Sequence, residues 1–185
     1  SSQVTDAYSV ANLLPRDTAV QEVVTSTIST EPQADEIDER FDSFGNRVVQ
    51  LGLHRPHDRF EIVAISEVTI GEALVPESTL SWEQAAARTM ALSGDEAIAI
   101  GPFRALTAPV KPASSDLLDQ LVADDFWPGR NIVDVVQAVC SRIFYSFVFD
   151  PTFTDVTTPL DDVIAAKRGV CQDFSHLAIA VFRTR

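Results

Sequence analysis

Residues 157–183 read TTPLDDVIAAKRGVCQDFSHLAIAVFR, and the punctuation of this stretch decides what the second half of the chain is. Thr158 is a candidate N-cap, Pro159 suits a first turn, and Asp161 and Asp162 lie near the positive end of a helix dipole. Lys167 and Arg168 fall at the negative end, and Gly169 is expected to stop the helix. A second helix should begin at or just after Cys171, with Phe174, Leu177, Ala178 and Val181 on one stripe. Ile179, Ala180 and Phe182 carry its apolar surface almost all round, so this helix is expected to be central and buried.

Cys171 is the strongest chemical candidate. Gly169 lacks a side chain, which lets the following turn pass closely. In the first turn of a helix, free N–H groups and the dipole favour a thiolate, and the same N–H groups can hold an oxyanion. The plainer alternative is a buried, inert cysteine, because cysteine is among the most buried residue types. Asp173 opposes a thiolate unless its charge is engaged elsewhere. His176 is not placed to act as base. Five residues along a helix is about 500° of turn, which sets it roughly 140° around from Cys171. A hydrogen-bonded histidine tying the helix to its surroundings is the better reading.

Helical spacing continues upstream. In NIVDVVQAVCSRIFYSF (131–147), Ile132, Val135, Val136, Val139, Cys140, Ile143 and Phe147 share one face, so Cys140 is read as core. STLSWEQAAARTMAL (78–92) offers Ser81 as N-cap with Gln84 completing a capping box, followed by three alanines. GPFRALTAPVKPAS (101–114) carries three prolines and little periodicity, the mark of a connector.

Before Pro76 the period changes from helical to alternating. QEVVTSTIST (21–30) is rich in β-branched residues. DSFGNRVVQLGL (42–53) sets Gly45-Asn46, a hairpin-turn pair, ahead of Val49, Leu51 and Leu53 on one face. DRFEIVAISEVTI (58–70) puts Phe60, Ile62, Ala64, Val68 and Ile70 on one side and Glu61, Glu67 and Thr69 on the other. An antiparallel meander or sandwich with one wet side follows. Strands first and helices second make the chain α+β: a β-sandwich-like domain over 1–76, a helix and connector over 77–112, and a helical region over 113–185.

Composition narrows the partners. Fourteen Lys and Arg against 27 Asp and Glu give a net charge of −13, which disfavours nucleic acid and anionic membrane surfaces. Two cysteines among 185 residues make no disulfide framework and are read as reduced thiols, with a cytoplasmic location as the default. No apolar run approaches the roughly 20 residues that span a bilayer, and no signal-peptide pattern stands at the start. HRPHDRF (54–60) brings His54, His57 and Asp58 together, but Pro56 puts them on a turn without a third ligand. Two surface imidazoles between strands are expected there rather than a metal. Trp82 and Trp127 lack a basic setting for base stacking, and the seven glycines form no phosphate loop. No cofactor is expected.

The stretch 157–183 also resembles the start of the transglutaminase-like core of bacterial cysteine-protease-like proteins, in which a T-P-L-x-x-V helix precedes R-G-V-C-Q-D-F-x-H-L. LLPRDTAVQEV (13–23), DSFGNRVVQLGLHRPHDRFEIVAISEV (42–68) and FWPGRNIVDVVQAVCSRIFYSFVFDPTFT (126–154) are similar to the N-terminal β-domain and lead-in helices of that group. The resemblance implies a papain-like core with Cys171 as nucleophile, attacking a glutamine side-chain amide or a peptide carbonyl. It implies supporting places for Gly169, Asp173 and His176. The family's base and its orienter, a His and an Asp, lie on strands after the nucleophile helix, and no residue here matches them. On that resemblance the chain is cropped at both ends, and residues 1–185 alone are expected to be inactive while a longer parent depends on Cys171. An apolar helix left without its sheet would favour self-association. The expected partner is a peptide or protein substrate. The alternative is a non-catalytic binding or scaffold protein on a degenerate transglutaminase-like fold.

Overall fold

The computed structural model describes residues 4–72, 76–107, 110–111, 114–155 and 157–185. The chain divides into two compact units, 1–75 and 76–185.

The first unit is built on two antiparallel sheets. Strands β1 (Ala7–Ala11), β4 (Arg47–Leu53) and β3 (Glu36–Phe41) form one sheet in the order β1-β4-β3. Strands β2 (Gln21–Glu31) and β5 (Glu61–Ile70) pair as the other. Strand β4 is central in its sheet, which is why VVQLGL is so apolar: Val49, Leu51 and Leu53 are almost wholly buried. Ala11, Leu14, Ala34, Val49 and Leu51 form the core, against Ile28, Phe60, Ile62 and Ala64 from the β2–β5 side. Two faces closing on one core make a sandwich rather than a meander.

The β3–β4 hairpin turns where the sequence places it. Gly45 has φ +75°, and the Asp42 carboxylate accepts the backbone N–H groups of Phe44 and Asn46, each at 2.8 Å. Strand β3 itself, EIDERF, was not expected from its composition. Every one of its residues is exposed, and a charged edge strand resists pairing with a second molecule. The alternation expected through Ile70 holds only as far as Ala64. Val68 and Ile70 are exposed, beyond the stretch that packs on the first sheet, and the β2–β5 register shifts between Val23 and Thr25.

In the second unit, α1 (Trp82–Met90) starts on the expected capping box, with the Ser81 hydroxyl accepting the Gln84 N–H and the Gln84 side chain accepting the Ser81 N–H. The region read as connector is partly helical: α2 runs Gly94–Arg104 and includes Pro102 near its end, where a missing N–H costs a single helical bond. Helices α3 (Ser115–Val122), α4 (Ile132–Ser146), α5 (Leu160–Ala166) and α6 (Cys171–Arg183) enclose one core. Leu118, Val122, Val135, Val139, Leu177 and Val181 are at its centre, and a leucine so buried contributes about 1.5–3 kcal/mol.

Four expectations are corrected here. Cys140 is exposed, not core. The buried stripe of α4 runs Val135, Val139, Ile143 and Phe147, and Cys140 lies about 100° round the helix from it, with the exposed Val136 and Phe144. Helix α5 starts at Leu160 with Pro159 in the N-cap position, because the Thr158 hydroxyl is engaged with Asp155 instead. It ends on Lys167, which takes the left-handed conformation at φ 53°, so Gly169 is not its stop. Helix α6 is not buried all round either. Leu177, Ala180 and Val181 face the core, and Ile179 is exposed on the other side.

Candidate active site at the start of α6

The chain approaches Cys171 through a short parallel pairing. Strand β6 (Val148–Phe149) runs beside β7 (Arg168–Gly169), with Val148 opposite Arg168 and Phe149 opposite Gly169. The Val148 N–H donates to the Lys167 carbonyl and the Asp150 N–H to the Gly169 carbonyl, both at 2.9 Å. These bonds hold the strand–helix junction from one side, and the α5–α6 core contacts hold it from below.

Cys171 is the first residue of α6 and is exposed. The first helical bond runs from the Phe174 N–H to the Val170 carbonyl at 3.1 Å. The N–H groups of Cys171, Gln172 and Asp173 therefore have no acceptor within the helix, and they point out at the end where the thiol stands. The Cys171 thiol is therefore not the buried cysteine of the plainer reading.

Asp173 is buried, and its Oδ2 accepts both the Val170 N–H and the Thr154 hydroxyl at 2.7 Å. It is thus a capping carboxylate at the third helical position, and its charge is engaged by donors rather than left facing the thiol. Gly169 is what makes room: a Cβ there would lie 2.7 Å from Asp173 Oδ2. Ser175 closes the turn by donating its hydroxyl to the Cys171 carbonyl at 2.8 Å.

The loop before α5 is stiffened by two further carboxylates. The Thr152 hydroxyl and N–H, and then Arg168, hold the Asp150 carboxyl below the usual carboxylate range. The Thr157 hydroxyl and N–H do the same for Asp155, helped by Thr158. Arg168 reaches Asp150 at 3.5 Å and lies over the Phe153 ring at 5.6 Å. Val148 and Phe149 on β6, and Phe144 and Tyr145 at the end of α4, stand exposed.

His176 is half-buried, and among the described residues it makes no hydrogen bond or ion pair, so the anchoring role read for it is not seen. It sits five residues past Cys171 on one helix, about 7.5 Å up the axis and on another side. The other two histidines belong to the first unit. His54 Nδ1 is 2.6 Å from Asp6 Oδ1, and Nε2 is 3.7 Å from Glu36 Oε1. The hydrogen bond to Asp6, with the Asp6 and Glu36 charges, raises the His54 pKa above the ordinary imidazole value. His57 is buried rather than on the surface, and its Nδ1–H donates to the Arg55 carbonyl at 2.7 Å. Among the described residues, no group of three or more His, Cys, Asp or Glu side chains could hold a metal ion. No helix among them is long and apolar enough to cross a membrane.

The residues singled out in the sequence include Cys171, Gly169 and Asp173 but not Thr154, whose hydroxyl reaches Asp173 across 19 residues. The capping part of Asp173 had a local signal, an acid three positions past the extended Val170. Thr154 had none.

Comparison with known proteins places the two units in a family context. Residues 1–69 match the bacterial transglutaminase-like N-terminal region, and residues 116–185 match the transglutaminase-like superfamily. The chain is transglutaminase-like. An uncharacterized protein of Mycobacterium tuberculosis is 31% identical over 193 residues, covering 99% of this chain and 58% of that protein. One from Mycobacterium leprae is 26% identical over 184 residues, covering 99% of this chain and 62% of that protein. The chain thus spans about three fifths of the length of these relatives. The crystal structure of a protein described as a "Putative Cysteine Protease" from Cytophaga hutchinsonii has a TM-score of 0.70 and 24% identity, over 98% of this chain and 59% of that one. That likeness shows a shared α+β fold.

Proposed function

We propose that this transglutaminase-like chain carries the nucleophile of a cysteine hydrolase or acyltransferase acting on amide bonds of peptides or proteins. The observation that carries the reading is the exposed Cys171 at the first position of α6, with three N–H groups beside it that have no acceptor within the helix and the Asp173 carboxylate engaged elsewhere. In the proposed reaction the Cys171 thiolate attacks the amide carbon, and the carbonyl oxygen takes the negative charge within reach of the helix N–H groups. The C–S bond forms, the C–N bond breaks, and the amine leaves with a proton from a general acid. Water then releases an acid, or a second amine releases a new amide, from the thioester.

The base is proposed to come from a longer parent protein. His176 cannot reach across its own helix to the thiol. The exposed Phe149 and Val148 beside β7 offer apolar contact to a substrate chain.

The chain supplies its own control, because both of its cysteines are exposed. Iodoacetamide labelling near pH 6.5, read by peptide mass spectrometry, is expected to modify Cys171 about tenfold or more faster than Cys140. Equal rates would remove the nucleophile assignment. In the longer parent, amide turnover that survived Cys171→Ala would do the same and would favour a scaffold.

A further inference from the structure

At the other end of α6 lies a cleft with a different character. It has a volume of about 620 Å³ and is walled by Trp82 and Met90 of α1, Ile100 of α2, Phe126, and Phe182 of α6. Twelve residues of helix, about 18 Å, separate its Arg183 from Cys171, so it is not part of the site described above.

Its charge is unusual for this chain. The molecule carries a net charge of −13, yet three arginines line the cleft and, among the described residues, no Asp or Glu side chain does. Two of the three are committed. Arg183 donates to the carbonyls of Pro102, Phe103 and Ala105, which close the C-terminal end of α2. Arg185 pairs with Asp119 at 2.6 Å and lies over the Phe126 ring at 5.1 Å. Arg104 is different: its guanidinium donates to the Met90 thioether, an acceptor too weak to balance a full charge. A cationic fork at the mouth of an apolar cleft of ligand size selects a molecule with an apolar body and one anionic head.

We propose that this cleft binds a small amphipathic carboxylate, with its chain against Trp82, Phe126 and Phe182 and its head on Arg104. Arg183 and the dipole-bound end of α2 fix the wall on which Arg104 sits, so the site is formed before the ligand arrives. The proposal is independent of the reading of Cys171.

Decanoate is the probe. Trp82 lines the cleft and Trp127 does not, so fluorescence in a Trp127→Phe background reports on the site itself. Decanoate should change the Trp82 emission saturably, and decanol should bind about tenfold more weakly or worse. Arg104→Gln, a change at an exposed side chain, should weaken decanoate by about tenfold and leave decanol unaffected. Ala86→Phe, which fills the cleft from α1, should weaken both, with far-UV circular dichroism confirming the fold. The proposal is overturned if decanoate gives no saturable change, if decanol binds as tightly, or if Arg104→Gln leaves decanoate binding intact. Undiminished binding by a folded Ala86→Phe variant would also overturn it, since the ligand would then sit elsewhere.

Discussion

The Asp173 carboxylate occupies the space that a side chain on Gly169 would fill. A Cβ on Gly169 would stand 2.7 Å from Asp173 Oδ2, 3.0 Å from its Cβ and 3.1 Å from its Cγ. The backbone of β7 and the cap of α6 therefore share one small volume, and Cys171 is carried by the turn between them.

Gly169→Ala should force that cap apart. Overpacking of this kind costs about 1–3 kcal/mol. Both tryptophans lie in the 76–185 unit, so a urea titration followed by tryptophan fluorescence reports its unfolding alone. A lower midpoint at constant slope is the expected outcome. An unchanged midpoint would show that Asp173 can move aside freely.

Asp173→Ala leaves the Val170 N–H and the Thr154 hydroxyl without their acceptor in a buried place, at about 1–3 kcal/mol. Asp173→Asn keeps an oxygen there and should cost less. Thr154→Val removes only one donor and should fall between wild type and Asp173→Ala. The same urea assay ranks the three, and a variant order led by Asp173→Asn would contradict the capping role.

Asp125 is buried between two arginines. Arg142 holds it bidentately, with Nη2 at 3.0 Å from Oδ1 and Nε on Oδ2, and Arg130 Nη1 is 3.8 Å from Oδ1. The hydrogen bond to Asp125 raises the Arg142 pKa further above its already high value, so Arg142 stays charged across the working range. Arg142→Met should leave the buried carboxylate with only the longer Arg130 contact and cost about 1.5–3 kcal/mol, discounted from a fully buried pair because Arg142 is partly exposed. Adding Asp125→Asn to Arg142→Met should recover part of that loss in thermal unfolding. No recovery would mean that shape, not charge, holds the contact.

His54 should make the first unit sensitive to pH. Its imidazolium is favoured in the folded state by Asp6 and Glu36, so its pKa is raised above that of the unfolded chain. The sign follows from linkage: its contribution is complete below pH of about 6.5 and is lost as pH rises through the raised value. The melting temperature of wild type relative to His54→Gln should thus shrink from about pH 6.5 upward. Asp6→Asn should flatten the difference. A wild-type advantage that grows with pH would contradict the arrangement. Net repulsion in so acidic a chain is common to wild type and His54→Gln, and the difference removes it.

Legibility followed distance along the chain. The buried run of β4, the stripe Val135–Val139–Ile143 and the Ser81–Gln84 capping box are local patterns, and each formed as read. Helical spacing could not separate Cys140 from that stripe, because a residue 100° off the centre of a face is buried only if a neighbour covers it. The acidic strand β3 was hidden because its stability comes from pairing with Arg47–Gly52 rather than from its own composition. Helix α2 was hidden by its proline.

The sequence by itself determined that strands precede helices and that Cys171 opens a helix after a glycine. It also carried the transglutaminase-like pattern of residues 157–183. Those features depend on the period of apolar residues and on local backbone preference, both of which act within a few residues. Only the tertiary structure decided that Thr154 engages Asp173 and that Asp125 lies between Arg130 and Arg142. It also decided that Arg104 comes to stand at the rim of an apolar cleft. A hydrogen bond or a charge pair is set by positions in space, and no local period encodes the approach of residues 17 or 19 places apart.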